Sequence, residues 1–453
     1  MRVLIQLRPD RDAVAAVLDP AASVAARDLA GRLPGVDLDP TFAPVAIPKA
    51  LPAEGGELLT LEQPLTFSMD PRHAGVLVRG EIHDFDTASR IAMLSARGDV
   101  VGVSSDPVIE TTPTCGGDGP VGDWRDVERF FVELGGDGLD GSGVALAISD
   151  TGINTQHLSD KLGRPITVDA ARSWAPPGVV GDPGKFPVDH GTMCAFDALI
   201  AAPKATLIDV AVLLSERPGA TVMDGLLSDA VAAYSHLWSQ LELMPEEQRA
   251  LVVSNSWGSF SPQWDFPPGH PGNYSDNPAH PFNLMVTALE HAGADVLFAA
   301  GNCGRECRDG RCEFTERPIG GANSHPRALS IGGVDTRGSR VGYSSQGPGR
   351  LSRRKPDVCS YTHFAGSEAF GPGSADSGTS AACPVAAGVV AAIRTQWPAA
   401  TIPPSELRTI LRRTADDLGA AGFDFDYGYG VVNAPSIMDA LRSRKKNGFR
   451  GRR

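Results

Sequence analysis

From about Gly143 onward the chain alternates short apolar, β-branched runs with longer stretches of helical length. The runs are GVALAISD, TLIDVAVL, ALVVSNS, DVLFAAGN and ALSIGGVD. Their apolar residues fall on consecutive positions, the pattern of strands buried on both faces of a parallel sheet. Between and after them lie HGTMCAFDALIAA, ATVMDGLLSDAVAAYSHLWSQL, PFNLMVTALEHAGA and SAACPVAAGVVAAIRTQW, whose length and composition predict helices. Strands joined through helices need crossover connections, so the expected fold is α/β, a largely parallel sheet sandwiched by helices. Sites in such sheets gather at the carboxyl ends of the strands.

The first part has a different rhythm. RVLIQL predicts a strand, DAVAAVLDPAASVAARDLAGRL a helix interrupted at Pro20, and VDLDP with TFAPVAI one or two further strands. AGVLVRGEIH follows as a strand, DTASRIAMLSAR as a helix opened by Asp86 or Thr87, and DVVGVSSDPVIE as a final strand. The order is that of a small α+β split βαβ domain. TTPTCGGDGPVGDW, rich in Gly and Pro, reads as a linker. The expected division is a small α+β domain over residues 1–115, a linker over 116–140, the α/β domain over 141–440 and a basic tail over 441–453.

Composition adds limits. Of 453 residues 42% are apolar and 21% charged, ordinary for a soluble globular protein. A net charge of −13 argues against general binding to nucleic acid, whose phosphates would be repelled. The tail RSRKKNGFRGRR is basic throughout and predicts a solvated, disordered end. The longest small or apolar run, residues 383–393, falls short of the roughly 20 residues that span a bilayer. Only Val3 to Ile5 run apolar before charges intervene at the start, so no export leader is expected and the cytoplasm is the expected compartment. Seven cysteines in such a chain predict reduced or loosely paired thiols at Cys303, Cys307 and Cys312, with a local disulfide or a metal as alternatives.

Three segments share a layout of apolar run, polar residue and nearby glycine. In ALAISDTGIN, Asp150 ends a strand; in DHGTMCA, His190 opens a helix; in SGTSAACP, Ser380 stands at a helix start. Singly they also read as an Asx turn, a cap or surface histidine, and an N-cap. Together they are the parts of a nucleophilic triad, in which a histidine takes the hydroxyl proton and a carboxylate orients the histidine.

SDTGIN, HGTMCA and GTSAACP, in the order Asp, His, Ser, resemble the three signature motifs of the subtilisin-like serine proteases. SNSWGS, AAGN, YSSQGP, KPDVCS and YGYGVVNA extend the likeness over roughly residues 141–440. The resemblance implies a serine endopeptidase acting on proteins or peptides through an acyl-enzyme. Asp150, His190 and Ser380 would be its triad, and Asn302 with the Ser380 backbone N–H its oxyanion hole. Ser256, Trp257 and Gly258 would pair with an extended substrate and line the pocket for the residue before the scissile bond. No cofactor is expected for the chemistry; structural calcium is compatible with the resemblance, but no ligand set carries over. Residues 1–115 resemble, weakly, an inhibitory propeptide, making the N-terminal domain an intramolecular inhibitor whose last strand lies near the cleft.

Several positions depart from the common pattern. Ala381 replaces a methionine, and Cys194 and Cys383 stand where valine and serine are common, which predicts small buried packing residues. Kexin-like members, which share Ser-Trp-Gly, carry acids soon after the glycine; here the first is Asp265, which disfavours basic specificity. The Pro- and Gly-rich insertion of residues 263–281 is expected to roof the groove. The rival readings are a catalytically silent peptide-binding relative and a hydrolase using Cys194 or Cys383. His190 disfavours the sedolisins, which place glutamate there.

Overall fold

The computed structural model describes the chain apart from residues 20, 32, 53–64, 69–73, 84–86, 113, 116–118, 215–222 and 451–453, with backbone alone for 49–52, 65–68 and 445–450. A six-stranded sheet runs in the order Thr206–Val210, Ala145–Ser149, Leu251–Asn255, Ala294–Ala299, Leu329–Val334, Val358–Tyr361. Every neighbouring pair is parallel. The consecutive apolar residues have the expected cause. Leu146, Ile148, Val252 and Leu297 enter one core, while Ala145, Ala147, Leu251, Val253, Val296 and Phe298 enter another on the opposite face. Side chains alternate across a strand, so a strand with helices on both sides must be apolar at each position.

Helices His190–Ala201 and Thr379–Arg394 share the first core, and Leu227–Glu242 and Pro281–His291 cover the other. The first two lie so close that a Cβ added at Gly388 would stand 2.2 Å from the Ala198 carbonyl oxygen. That approach is what the run of small residues permits.

The N-terminal sheet pairs Arg2–Leu7 antiparallel with both Gly75–Glu81 and Val100–Ser105. Asp37–Leu38 and Val45–Ile47 pair with the outer edge of Gly75–Glu81. The predicted broken helix is present as Arg11–Leu18 and Ala26–Ala30, and a further hairpin, Lys49–Pro52 with Leu65–Ser68, was not predicted. Of the two openings proposed for the next helix, Thr87 is its first residue and Asp86 lies outside the described residues.

This sheet has two apolar faces. Val3, Ile5 and Leu7 pack on its own helices, whereas Leu4, Leu77, Val45 and Ile47 join the core under Leu227–Glu242. Polar contacts flank that joint. Ser228 donates its N–H and hydroxyl to Asp106 at 2.8 and 2.9 Å, and Arg79 Nη1 meets Asp229 Oδ1 at 2.9 Å. Asp106 thus supplies a negative charge at the N-terminus of that helix, where unpaired N–H groups favour one.

Four expectations need correction. DVVGVSSDPVIE is two strands, Val100–Ser105 and Val108–Glu110, because Asp106 turns away to cap the helix and Pro107 has no N–H for a ladder. ATVMDGLL does not begin a helix: Asp224–Leu226 is a strand and the helix starts at Leu227. Residues 441–450 are not a disordered tail but extend helix Ala434–Arg450, where Arg442 Nη2 reaches Asp137 at 2.7 Å and Arg444 pairs with Glu406.

The fourth concerns the insertion of residues 263–281, which clasps the N-terminal sheet. Buried Asp265 accepts the Ser105 hydroxyl at 2.6 Å and the N–H groups of Tyr274 and Ser275, each at 2.8 Å. The Ser105 N–H donates to the Gly272 carbonyl at 2.9 Å, and Phe266 enters the N-terminal core.

Candidate active site

Asp150 follows strand Ala145–Ser149 directly and is fully buried. Its Oδ1 accepts the Thr151 N–H at 2.8 Å and faces His190 Nδ1 at 2.8 Å. His190 begins its helix, with Asp189 as the capping residue. Gly191 fixes the spacing of the two segments. Its N–H donates to Thr151 Oγ1 at 2.8 Å, and an added Cβ would stand 2.4 Å from the Gly152 carbonyl oxygen. Burial pushes the imidazole toward neutrality, but the charge and hydrogen bond of Asp150 outweigh it and leave the His190 pKa raised.

Ser380 is the second residue of helix Thr379–Arg394. Gly378 before it has φ 82°, and an added Cβ would meet Asn302 Nδ2 at 2.8 Å, so glycine is required for both conformation and space. The Ser380 hydroxyl donates to the Ser256 carbonyl at 3.5 Å and makes no hydrogen bond to His190. Both nevertheless line one cleft of about 470 Å³, with Asn302, Met193 and Phe370. Nucleophile–base contacts are often loose before substrate binds and tighten afterwards.

Asn302 lies three residues beyond strand Ala294–Ala299. Its Oδ1 accepts the Thr379 N–H at 2.8 Å and the Thr379 hydroxyl at 3.0 Å, which turns Nδ2 toward the cleft. There Nδ2 donates to the carbonyl of Thr112 at 2.8 Å.

That acceptor belongs to a segment laid along the groove. The Glu110 N–H donates to the Gly258 carbonyl at 2.9 Å and the Gly258 N–H to the Glu110 carbonyl at 3.0 Å. On the other side Val108–Glu110 pairs antiparallel with Asp224–Leu226. Val108–Glu110 is therefore the middle strand of a ribbon, and two residues on, the chain places the Thr112 carbonyl on the Asn302 amide. The sequence placed this strand near the cleft but singled out neither Glu110 nor Thr112, since both are ordinary residues until their neighbours are known.

The Ser256-Trp257-Gly258 segment divides its tasks. Gly258 supplies the backbone pairing, and Ser256 donates its hydroxyl to the Ser380 carbonyl at 3.0 Å. Trp257 points away, 1% exposed, with its indole N–H on Ser149 Oγ at 3.2 Å and its rings against Phe282 and Phe298. Its side chain therefore does not line the pocket.

Cys194 and Cys383 are buried packing residues, as expected. Cys194 Sγ lies 3.6 Å from Asp150 Oδ2 and 3.4 Å from the Ser380 carbonyl oxygen. Burial raises the pKa of both thiols, that of Cys383 to about 12. A thiolate is the nucleophilic form, so neither is poised to attack.

The expectation of reduced thiols in the 303–312 loop is corrected. Cys303 pairs with Cys312, and Cys307 pairs with Cys115 of the linker. The missing partner was 192 residues away in sequence, beyond the reach of a local spacing argument.

Among the described residues, one group of three or more His, Cys, Asp or Glu side chains converges closely enough to hold an ion, Asp150 with His190 and Cys194. Its nitrogen and sulfur donors do not suit calcium, which takes oxygen ligands. No helix among those residues is long and apolar enough to cross a membrane.

Comparison with known proteins agrees with this geometry. Relatives include a calcium-dependent protease of Nostoc sp., 26% identical over 66% of this chain and 46% of that protein. Fervidolysin of Fervidobacterium pennivorans is 25% identical over 66% of this chain and 41% of its own length. The serine protease AprX of Bacillus subtilis is 27% identical over 68% and 69%. The chain thus spans less than half the length of the first two. The model of the subtilase family matches residues 141–430, well over half of the chain, and the protein belongs to that family.

Proposed function

We propose that the protein is a serine endopeptidase whose own N-terminal segment occupies its substrate groove. The observation that carries this reading is the Thr112 carbonyl held by Asn302 at 2.8 Å, in the cleft that contains the Asp150–His190 pair and Ser380. A carbonyl so placed marks where an oxyanion would form.

His190 takes the Ser380 proton as the oxygen attacks a peptide carbonyl, and Asp150 keeps the imidazole in the tautomer that can accept it. The tetrahedral oxyanion is held by Asn302 Nδ2 and the Ser380 N–H, each donor of this type being worth about 3–4 kcal/mol. The amine leaves with the proton from His190, and water then hydrolyses the acyl-enzyme by the same steps. Substrate binds by strand addition between the two segments that now flank residues 108–112.

The N-terminal domain acts as an intramolecular inhibitor that stays attached. Three features support this: the clasp around Asp265, the buried face under Leu227–Glu242, and the Cys115–Cys307 link beyond the strand. Calcium has no assigned role.

The test is hydrolysis of an unfolded protein substrate by the full chain, followed against pH. Substrate must displace the strand, so turnover is expected to be slow, and absent in Ser380→Ala. Activity needs neutral His190. Because the folded state raises its pKa, the acid limb should have its midpoint above the ordinary value of 6.5. Activity that persists unchanged well below that pH would contradict His190 as the base.

A further inference from the structure

Behind the groove wall lies a side chain that the triad does not use. Phe260 is nearly buried and packs with Cys303 and Cys312. Its ring edge stands 3.0 Å from a Cβ built on Gly258 and 3.3 Å from one built on Gly301. Gly258 is the residue that pairs with Glu110, and Gly301 directly precedes the oxyanion donor Asn302. The ring therefore fills the gap between two backbone walls beside the position of the reacting carbonyl.

The bound strand identifies which substrate residue faces that gap. The strand Val108–Glu110 ends two residues before Thr112, and continuing its alternation puts Glu110 and Thr112 on one side. Glu110 Oε2 meets Arg311 Nη1 at 3.3 Å, next to the Cys312 that packs on Phe260. Thr112, whose carbonyl lies on Asn302, is 6% exposed, and the continued alternation turns its side chain toward the walls that Phe260 closes. The natural occupant, Thr112, carries a small side chain. A large one would have to drive Phe260 out of a close-packed cluster, and overpacking of that kind is costly.

We propose that Phe260 is a specificity-determining residue that restricts the site to peptides with a small side chain, of the size of Ala, Ser or Thr, before the scissile bond. The proposal rests on Ser380 being the nucleophile, and its test separates the two ideas. The rate at which a fluorophosphonate labels Ser380 is measured by intact mass in full-length wild type, Thr112→Phe, Phe260→Ala and the double variant. A probe with no peptide side chain reads only whether the strand covers the site. Thr112→Phe should expel the strand from the closed slot and speed labelling about tenfold or more, whereas with Phe260→Ala added the new ring is accommodated and labelling returns toward the wild-type rate.

On the opened Thr112→Phe chain, peptide anilides with Ala before the scissile bond should be cut about 100-fold better than those with Phe there, the size of discrimination that pocket shape supplies. In the double variant, where the returned strand slows cleavage of both, the ratio between the two should fall to about one, and Phe260→Leu should lower it part of the way if the alanine variant folds poorly. Labelling that is equally fast in Thr112→Phe with and without Phe260→Ala, or a preference for large residues that Phe260 does not control, would overturn the slot while leaving the nucleophile in place. No labelling of Ser380 in any variant would remove the reading on which the slot depends.

Discussion

A chain carrying Pro113→Ala is expected to cut itself after Thr112, yielding a fragment of residues 1–112, whereas the natural chain stays whole. The Thr112 carbonyl already sits on the Asn302 amide, and the strand that leads to it is paired on both sides. The next residue in the chain is Pro113. The bond after Thr112 is therefore a tertiary amide, whose nitrogen has no N–H and sits within a ring. Breaking it requires His190 to deliver a proton to a crowded ring nitrogen. Alanine would restore an ordinary peptide bond at the same place. Intact mass under denaturing conditions reads the result directly, and the same change in a Ser380→Ala chain should leave it whole. An uncut Pro113→Ala chain whose Ser380 still reacts with a phosphonate would show that the strand is held out of line for attack.

Asn302→Ala should slow that self-cleavage by about 10²–10³-fold, the usual loss when one oxyanion donor is removed. The amide does two jobs here. Its oxygen holds the N–H and hydroxyl of Thr379, next to the nucleophile, while its nitrogen holds the carbonyl. Asn302→Asp separates them, keeping an acceptor for Thr379 but placing negative charge where the oxyanion must form. It should therefore be at least as slow as alanine. A loss below about fivefold in both variants would mean that the charge is stabilised elsewhere.

The large sheet was legible because burial on both faces forces consecutive apolar residues. Leu251 and Val252 go to opposite cores, and no amphipathic compromise blurs the pattern. The triad candidates were legible because each chemical group is pinned by a glycine that packing demands, Gly191 against Gly152 and Gly378 against Asn302. The relations between distant segments were not legible. Asp106 reads as part of a single strand, yet it caps a helix more than a hundred residues away. The insertion of residues 263–281 reads as a roof over the groove, but it carries the buried Asp265 that fastens the N-terminal sheet. Phe260 carries no signal in the sequence because only the folded backbone places two glycines on either side of its ring. Cys115 and Cys307 have no local signature at all.

The role of Ser380 as a nucleophile activated by His190 is tested most directly by intact-mass detection of a fluorophosphonate adduct on wild type, iodoacetamide-treated wild type and Ser380→Ala. One adduct is expected on the first two, gained slowly because Thr112 covers the oxyanion site, and none on the third. An adduct that persists in Ser380→Ala, or that alkylation of the thiols abolishes, would contradict that role.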